Sequence, residues 1–400
     1  MKITSKIKNN LDQGFAAAFG RQPRRYFSAP GRTEIGGNHT DHQRGRVLAA
    51  AVELEVLAAV DCNDSQWIRI QSQGYPLCCV DLQDLQPRPE EENTTAALIR
   101  GVAAAFADRG CKVRGFDAYV TSTVLPGSGL SSSAAFEVLL GTVCNGLFFE
   151  NALPPVEIAK IGQWAENVYF GKPCGLMDQM ASAVGGLITI DFADPAAPDV
   201  RSVAFDFEAC GHRLCIIDTH ASHADLTQEY AAVPAEMKAV AAYFGQEVLS
   251  GVDPKAFYSE MPALRQRCGD RAALRAMHYF EENSRVCRQV SALEKGDFPG
   301  FLELVKESGR SSFMYLQNVT VSGRTAHQEV ALTLALCEKL LGGRGACRVH
   351  GGGFAGTVQA FVPEDLVEQF HRGMEELLGQ GSCLWMDIRP YGGVELEVQT

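Results

Sequence analysis

The sequence predicts a two-domain protein that mixes helices and strands. Two observations carry that expectation. The 400 residues exceed what one simple core comfortably holds. The pattern also turns from strand-rich to mostly helical after a Pro-rich stretch, Pro195 to Pro198. The boundary is therefore placed there, giving domains over 1–195 and 196–400.

Taken in order, residues 3–19 have the spacing of an amphipathic surface helix, and strand-rich sequence follows to about residue 80. Residues 83–93 are polar and rich in Pro and Glu, which suits an exposed loop. Helices are expected over 94–107 and 132–149, with an apolar strand-like run at 116–124 between them. Residues 154–170 form a further amphipathic helix that carries Glu166 near its C-terminal end. Strands are expected at 186–192 and 214–218. Residues 231–306 read as mostly helical, broken at Pro254 and Pro262. The last hundred residues alternate helix, glycine turn, strand, helix and strand. There is no internal repeat or low-complexity tract.

Composition sets limits on function. With 46% hydrophobic and 21% charged residues the chain is an ordinary globular one. A net charge of −12 argues against nucleic acid or an anionic membrane as the main partner. It leaves a small anionic ligand open, since a local cradle can oppose the global charge. The thirteen cysteines form no regular ladder, Cys78 and Cys79 are adjacent, and no CxxC pair occurs, so neither a disulfide framework nor a zinc site is expected. The first residues show no signal-peptide core and no apolar run reaches transmembrane length. A cytoplasmic location is expected.

Three segments carry chemistry. The first in importance is Pro126-Gly-Ser-Gly-Leu-Ser-Ser-Ser-Ala-Ala135. It follows a strand-like run and opens a helix, so glycine lets several backbone N–H groups converge on one anion where the helix dipole is positive. Its serines offer hydroxyls to a phosphate or a phosphate-bound Mg²⁺; a purely capping role is the competing reading. It lacks the Gly-Lys-Ser/Thr ending of a Walker A loop. The second, Ser28 to Val47, packs Arg32, Glu34, Asn38, His39, Asp41 and His42 among glycines, a density of polar groups that suits a ligand pocket. The third, His350-Gly-Gly-Gly-Phe-Ala-Gly-Thr357, permits close backbone approach.

In order and spacing, these segments resemble the three signatures of the GHMP small-molecule kinases. The early one, Gly31-Arg-Thr-Glu-Ile-Gly-Gly-Asn-His-Thr-Asp-His42, is similar to the galactokinase signature Gly-Arg-x-Asn-Leu-Ile-Gly-Glu-His-Thr-Asp-Tyr. A fourth block, Ala165-Glu-Asn-Val-Tyr-Phe-Gly-Lys-Pro-Cys-Gly-Leu-Met-Asp-Gln179, resembles the family segment with a magnesium-binding Glu and a catalytic Asp. The resemblance implies an α+β protein with the two-domain GHMP kinase fold. Its N-terminal domain would be like domain 2 of ribosomal protein S5 and its C-terminal domain ferredoxin-like, with ATP and sugar in the cleft between them. The implied activity is an ATP-dependent galactokinase acting on the anomeric hydroxyl of galactose.

Residue by residue, the resemblance implies Asp178 and Arg32 as the catalytic pair. Pro126, Gly127, Ser128, Gly129, Leu130, Ser131, Ser132 and Ser133 would cradle the nucleotide. Ser132 (or Ser131) and Glu166 would hold Mg²⁺. Arg32, Asn38, His39, Asp41, Gly175, Asp178 and Tyr230 would contact the sugar. Each has a plainer alternative: Asp178 as a helix N-cap, Glu166 as a solvated acid, His39 and Asp41 as a turn pair, and Tyr230 as packing. His220 and His223 are read as loop residues and not as a metal pair. Sugar and ATP are the expected partners, with a monomeric chain.

Departures from the signature concern the sugar's C6 end. Asn38 stands where the family has Glu, and His42 where it has Tyr. Galacturonate, or another C6-modified galactose, is therefore the alternative substrate; the Asp41-His-Gln43 run is similar to plant galacturonokinases. A sensor that binds galactose and ATP without turnover is a third reading, disfavoured by the intact Leu130-Ser-Ser-Ser-Ala-Ala135 run. In the third motif Gly352 and Ala355 stand where Ala and Gly are commoner.

Overall fold

In the computed structural model, the structure describes residues 2–124, 129–222 and 225–398. The chain divides into two compact units: Met1–Arg32, Ala50–Gly186 and Arg389–Thr400 form the first, Thr33–Ala49 and Leu187–Ile388 the second. A single cut at residue 195 does not describe this division. The second unit takes an early loop from the first half of the sequence, and the C-terminal residues return to the first unit.

The first unit opens with a short strand, β1 (Lys2–Ile3), and a helix, α1 (Ser5–Phe19). Thr4 caps α1 by accepting from Ile7 N–H, and Gly20 ends it in the left-handed region with φ 71°. Strands β2 (Arg25–Gly36), β3 (Arg46–Cys62), β4 (Trp67–Ser72) and β5 (Cys78–Asp81) follow. β2 leaves the unit after Arg32 and β3 enters it at Ala50. Helix α2 (Thr95–Asp108), strand β6 (Phe116–Ser122) and helices α3 (Ser132–Phe148), α4 (Pro155–Ala165) and α5 (Met177–Val184) complete the run. The chain's last strand, Val394–Val398, pairs antiparallel with β2 and parallel with β1. Strand order is therefore β1, the last strand, β2, β3, β6, β4, β5.

Helices α2 to α5 pack on one another, and glycine sets how closely. A Cβ on Gly162 of α4 would stand 3.1 Å from the Cβ of Glu137 on α3 and 3.2 Å from Cγ of Gln179 on α5. The polar loop expected at 83–93 is partly structured, because Arg100, fully buried on α2, ties down Glu91 at 2.6 and 2.8 Å.

In the second unit, strands β7 (Leu187–Asp191) and β8 (Asp199–Ser202) form a hairpin. Strand β9 (His212–Asp218) precedes five helices: α6 (Thr227–Tyr243), α7 (Pro254–Ser259), α8 (Met261–Cys268), α9 (Asp270–Glu294) and α10 (Phe298–Ser311). Pro254 and Pro262 sit in the first turns of α7 and α8, where a missing N–H costs nothing. Helix α11 (Glu329–Leu341), strands β10 (Ala346–His350) and β11 (Thr357–Pro363), helix α12 (Val367–Leu378) and strand β12 (Cys383–Met386) close the unit. The order β10-β11-β9-β12 is antiparallel throughout. With helical crossovers after β9 and β11, this is the split β-α-β-β-α-β arrangement of ferredoxin-like domains. One core lies between α6, α8 and α9 (Val233, Met237, Leu264, Tyr279), and another between the sheet and helices α11 and α12 (Ile217, Val349, Val358, Phe370).

Helix α1 is held by Leu11 and Phe15, both fully buried with Tyr26, Leu57 and Leu396. Phe15→Ala should cost about 3–5 kcal/mol, read as a lowered urea midpoint; an unchanged midpoint would show that α1 does not contribute to the first unit's stability.

Candidate active site

The first unit gathers an arginine, two acids and a serine-rich helix start. Arg32, near the end of its stretch of β2, donates from Nε and Nη2 to the two carboxylate oxygens of Asp178 at 2.7 and 2.8 Å, and from Nη1 to the Gly129 carbonyl at 2.6 Å. Gly31 permits that approach, since a Cβ there would stand 3.1 Å from the Leu130 carbonyl. Ser131 donates its hydroxyl to Asp178. Burial opposes ionisation of Asp178, but the Arg32 guanidinium and the Ser131 hydroxyl outweigh it and hold the carboxyl below its ordinary pKa. Asp178 lies inside α5 and its carboxylate caps no helix, so the N-cap alternative is not how the chain uses it.

Ser131 itself is left-handed, with φ 55°, an uncommon conformation for a residue with a side chain. It precedes α3 without capping it through its hydroxyl, which leaves the first amides of α3 pointing outward at the positive end of the dipole. Of the expected nucleotide cradle, Gly129 to Ser133 are placed here. Pro126, Gly127 and Ser128 lie outside the described residues, as does His223.

Glu166 is the second acid. It begins a wide turn, Glu166–Phe170, in which the helical ladder of α4 lengthens and Gly171 N–H reaches back to the Glu166 carbonyl. Such one-turn widenings re-aim side chains and recur at functional sites. The Glu166 carboxylate is almost fully buried and accepts from Ser133 at 3.3 Å, Lys172 at 3.2 Å and Gln179 Nε2 at 2.9 Å. The serine that donates to Glu166 is Ser133. Gln179 also donates to Glu137 at 2.9 Å. Burial, and then the charge of Glu166, push the Glu137 carboxyl well above its usual range.

This donor set can be tested against a hard divalent cation. The buried oxygens Glu137 Oε1 and Gln179 Oε1 have no protein partner, and the Glu166 carboxylate lies beside the Ser133 hydroxyl, with the Lys172 ammonium also on it. No cluster of three or more His, Cys, Asp or Glu among the described residues is arranged to hold a metal. The chemistry therefore fits an ion that takes one or two protein oxygens and fills its other positions with water and phosphate, as Mg²⁺ does. Gly175, in the turn before α5, is exposed; that turn is fixed by Asn167, which accepts from Cys174 N–H at 2.7 Å.

The second unit holds the other half of the early signature. Gly37 (φ 91°) and His39 (φ 58°) turn the chain into a short 3₁₀ segment, Asp41–Gln43. Asn38 is fully buried with both ends of its amide engaged. Nδ2 donates to the Gly351 carbonyl at 2.6 Å and to Glu34 at 3.1 Å, while Oδ1 accepts from Asn318 at 2.9 Å and Ser312 at 3.4 Å. Glu34 and Asn38 occupy positions where the signature has Asn and Glu. The two residue types have changed places across one hydrogen bond, and the carboxylate at 34 is met by Arg348, itself fully buried.

Behind this pair stand residues that the motifs did not reveal. Glu282 accepts from Gly37 N–H at 3.1 Å and Ser308 at 2.7 Å, and pairs with Arg285. Burial disfavours its charge, but Arg285, His278 and Arg348 overcome this and bring its pKa to about 2. His278 bonds the Asn38 carbonyl at 2.9 Å and Ser311 at 2.8 Å; burial lowers its pKa to about 4. Only the paired departures at 34 and 38 hinted at this network. His39 reaches the Gly352 carbonyl at 3.0 Å, Asp41 starts the 3₁₀ segment half-buried, and Tyr230 on α6 donates to the Gly353 carbonyl at 2.8 Å. Tyr230 also explains Gly352, where a Cβ would meet its ring at 2.8 Å.

Comparison with known proteins places the chain in a family. The model of the GHMP kinases N terminal domain matches residues 97–186, and that of the galactokinase galactose-binding signature matches residues 13–62. The galactokinase of Streptomyces coelicolor is 31% identical over 372 residues, covering 92% of each chain. Lactococcus lactis galactokinase, solved with galactose, superposes with a TM-score of 0.83 at 24% identity over 98% of this chain and 100% of that one. The mevalonate kinase of L. major, solved with R-mevalonate, shares the fold at a TM-score of 0.62 and 15% identity over 92% and 97%. The fold and the serine-rich helix start are those of a GHMP kinase. Within that class, the chain belongs to the galactokinase family.

The buried His278 and Glu282 make the second unit acid-sensitive. The folded-state pKa of His278 lies below that of an unfolded histidine, near 6.5, so the unfolded chain takes up the proton first as pH falls. Stability is then lost from about pH 6.5 toward 4, on the order of 2 kcal/mol by pH 5. The contribution of Glu282 is present above about pH 4.5 and is lost as pH falls toward 2. Urea midpoints should drop between pH 7 and pH 5, and a flat profile would show that His278 is not held neutral.

Proposed function

We propose that the chain transfers the γ-phosphoryl group of ATP to the anomeric hydroxyl of galactose, giving galactose 1-phosphate and ADP. The observation that carries this is the Asp178 carboxylate, kept ionised by Arg32 and Ser131 beside the start of α3. Phosphoryl transfer asks the protein for positioning and charge neutralisation more than for covalent chemistry. Asp178 receives the anomeric hydroxyl's hydrogen bond and its proton as the oxygen attacks. Arg32 fixes the carboxylate in two contacts and adds positive charge where the transferring group becomes electron-rich. The free amides of α3 and the turn through Gly129 to Ser133 receive phosphate oxygens, together with Pro126, Gly127 and Ser128.

Glu166, with the hydroxyl of Ser132 (or its neighbour Ser131), is the set that would hold Mg²⁺, beside the Ser133 hydroxyl that donates to Glu166. When bound, the ion supplies neutralisation of phosphate charge. His39, Asp41, Gly175 and Tyr230 are assigned to the sugar. Asn38 acts by holding the loop, since its own amide is committed to protein partners. The protein is proposed to work as a cytoplasmic monomer; among the described residues no helix is long and apolar enough to cross a membrane.

One observation favours a second substrate reading. With Asn at 38 and the displaced carboxylate of Glu34 neutralised by Arg348, no unpaired acid stands at the position linked to the sugar's C6 group. Acting through the loop and not by contact, an uncharged residue at 38 removes a negative charge that would oppose a C6 carboxylate, which makes galacturonate the alternative. Side-by-side kcat/KM for galactose and galacturonate decides between them, and strong preference for the uronate overturns the first choice. Sugar-dependent ADP release separates either kinase from a sensor, which would bind without turnover. Asp178→Asn should lower kcat by about 10²–10⁴-fold with the fold intact; activity largely surviving in that variant removes Asp178 from its role.

A further inference from the structure

We infer that His42 is a positioning residue: it is the middle link of a one-way hydrogen-bond chain that holds His39 as its Nε2–H tautomer, donating to the Gly352 carbonyl. The inference rests on the reading above, that the loop around His39 serves the sugar.

The direction of the chain follows from its two ends. At one end the backbone N–H of Leu249 reaches the side-chain oxygen of Gln43 at 3.1 Å. An N–H can only donate, so that oxygen is the acceptor and the amide nitrogen of Gln43 faces the other way. That nitrogen lies 3.1 Å from His42 Nδ1. An amide nitrogen has hydrogens and no accepting lone pair, so His42 Nδ1 is bare and its proton is on Nε2. His42 Nε2 then donates to His39 Nδ1 at 3.3 Å, which puts the His39 proton on Nε2. The other end gives the same answer independently. His39 Nε2 lies 3.0 Å from the Gly352 carbonyl, an acceptor only, so it must carry hydrogen.

A second proton on either ring would set two N–H groups against each other. The surroundings agree, since burial first and the neighbouring His39 second lower the His42 pKa to about 3. The relay is directed at a loop that needs it. Gly351 (φ 67°) and Gly353 (φ 77°) are in the left-handed region, where peptide planes turn easily. Three successive carbonyls are nonetheless held: Gly351 by Asn38, Gly352 by His39 and by Asn318 at 3.2 Å, and Gly353 by Tyr230. Tyrosine, the signature's residue at 42, has one hydroxyl and cannot both accept from Gln43 and donate to His39 through two atoms of one ring.

The test needs no variant at first. Long-range ¹H–¹⁵N spectra of the imidazoles in the intact protein at neutral pH should show Nε2–H tautomers for both His39 and His42; an Nδ1–H tautomer at either ring overturns the chain. His42→Phe keeps a ring but breaks the relay. It should leave His39 without a fixed tautomer and raise KM for galactose roughly three- to tenfold, with kcat moving by less than about twofold. His42→Gln, whose amide keeps one acceptor and one donor, should recover most of that loss. An unchanged KM and an unchanged His39 spectrum in His42→Phe would overturn the positioning role. If the unaltered protein phosphorylates no sugar, the reading of the site fails, and the tautomer spectrum alone decides the relay.

Discussion

The pairing of Arg32 with Asp178 is the constraint on which the chemistry of the first unit rests. A buried guanidinium is tolerable only when its donors are met, and here two go to one carboxylate and a third to the Gly129 carbonyl. The same contacts serve three ends. They keep Asp178 ionised, they fix its plane, and they fasten β2 to the turn that opens α3. Because Ser131 adds its hydroxyl to Asp178, the left-handed residue before the helix is held by the same group it helps to orient. The strain of that conformation is thereby offset at the place where the helix amides must stay free.

Backbone irregularity does comparable work elsewhere. Had α4 continued as a regular helix, the residues after Glu166 would have followed its axis and kept the ladder closed. The widened turn at Glu166–Phe170 ends α4 and lets the chain return through Cys174 to α5, so that Glu166 and Asp178, twelve positions apart, both meet serines of one helix start. In the second unit a similar widening, Ser312–Leu316, follows α10 and turns the Ser312 hydroxyl toward Asn38. Each unit thus uses one irregular turn to aim a side chain.

Much of this was legible in the sequence, and what was not has a physical reason. The helices at α1, α2 and α3 and the strands at β6, β7 and β9 fall close to their expected places, because their apolar periodicity and punctuation are local. The grouping of Arg32, Ser131, Glu166 and Asp178 was legible because each lies in a motif. That Ser133 is the serine donating to Glu166 was not, since neighbouring helical side chains differ by about 100° and sequence order does not say which faces Glu166. The division into discontinuous units was hidden because the last strand pairs with β2, at the opposite end of the chain. The Glu34, Arg348 and Glu282 network was hidden for the same reason, as its partners lie hundreds of positions apart.

That network also bears on how the signature could depart from its usual form. Placing Glu at 38 while Glu34 remained would bring two carboxylates into contact in a buried site with Arg348 as their shared cation, and one of them would be left uncompensated at a cost of several kcal/mol. Removing Glu34 alone would instead leave Arg348 buried without its carboxylate at that position. Neither single step is cheap, whereas the exchange of both residue types preserves one carboxylate, one amide and the hydrogen bond between them. The charge has moved along the loop without changing in number. In this chain Arg348 neutralises the carboxylate at 34, so the loop that carries Asn38 depends on a side chain more than 300 residues away.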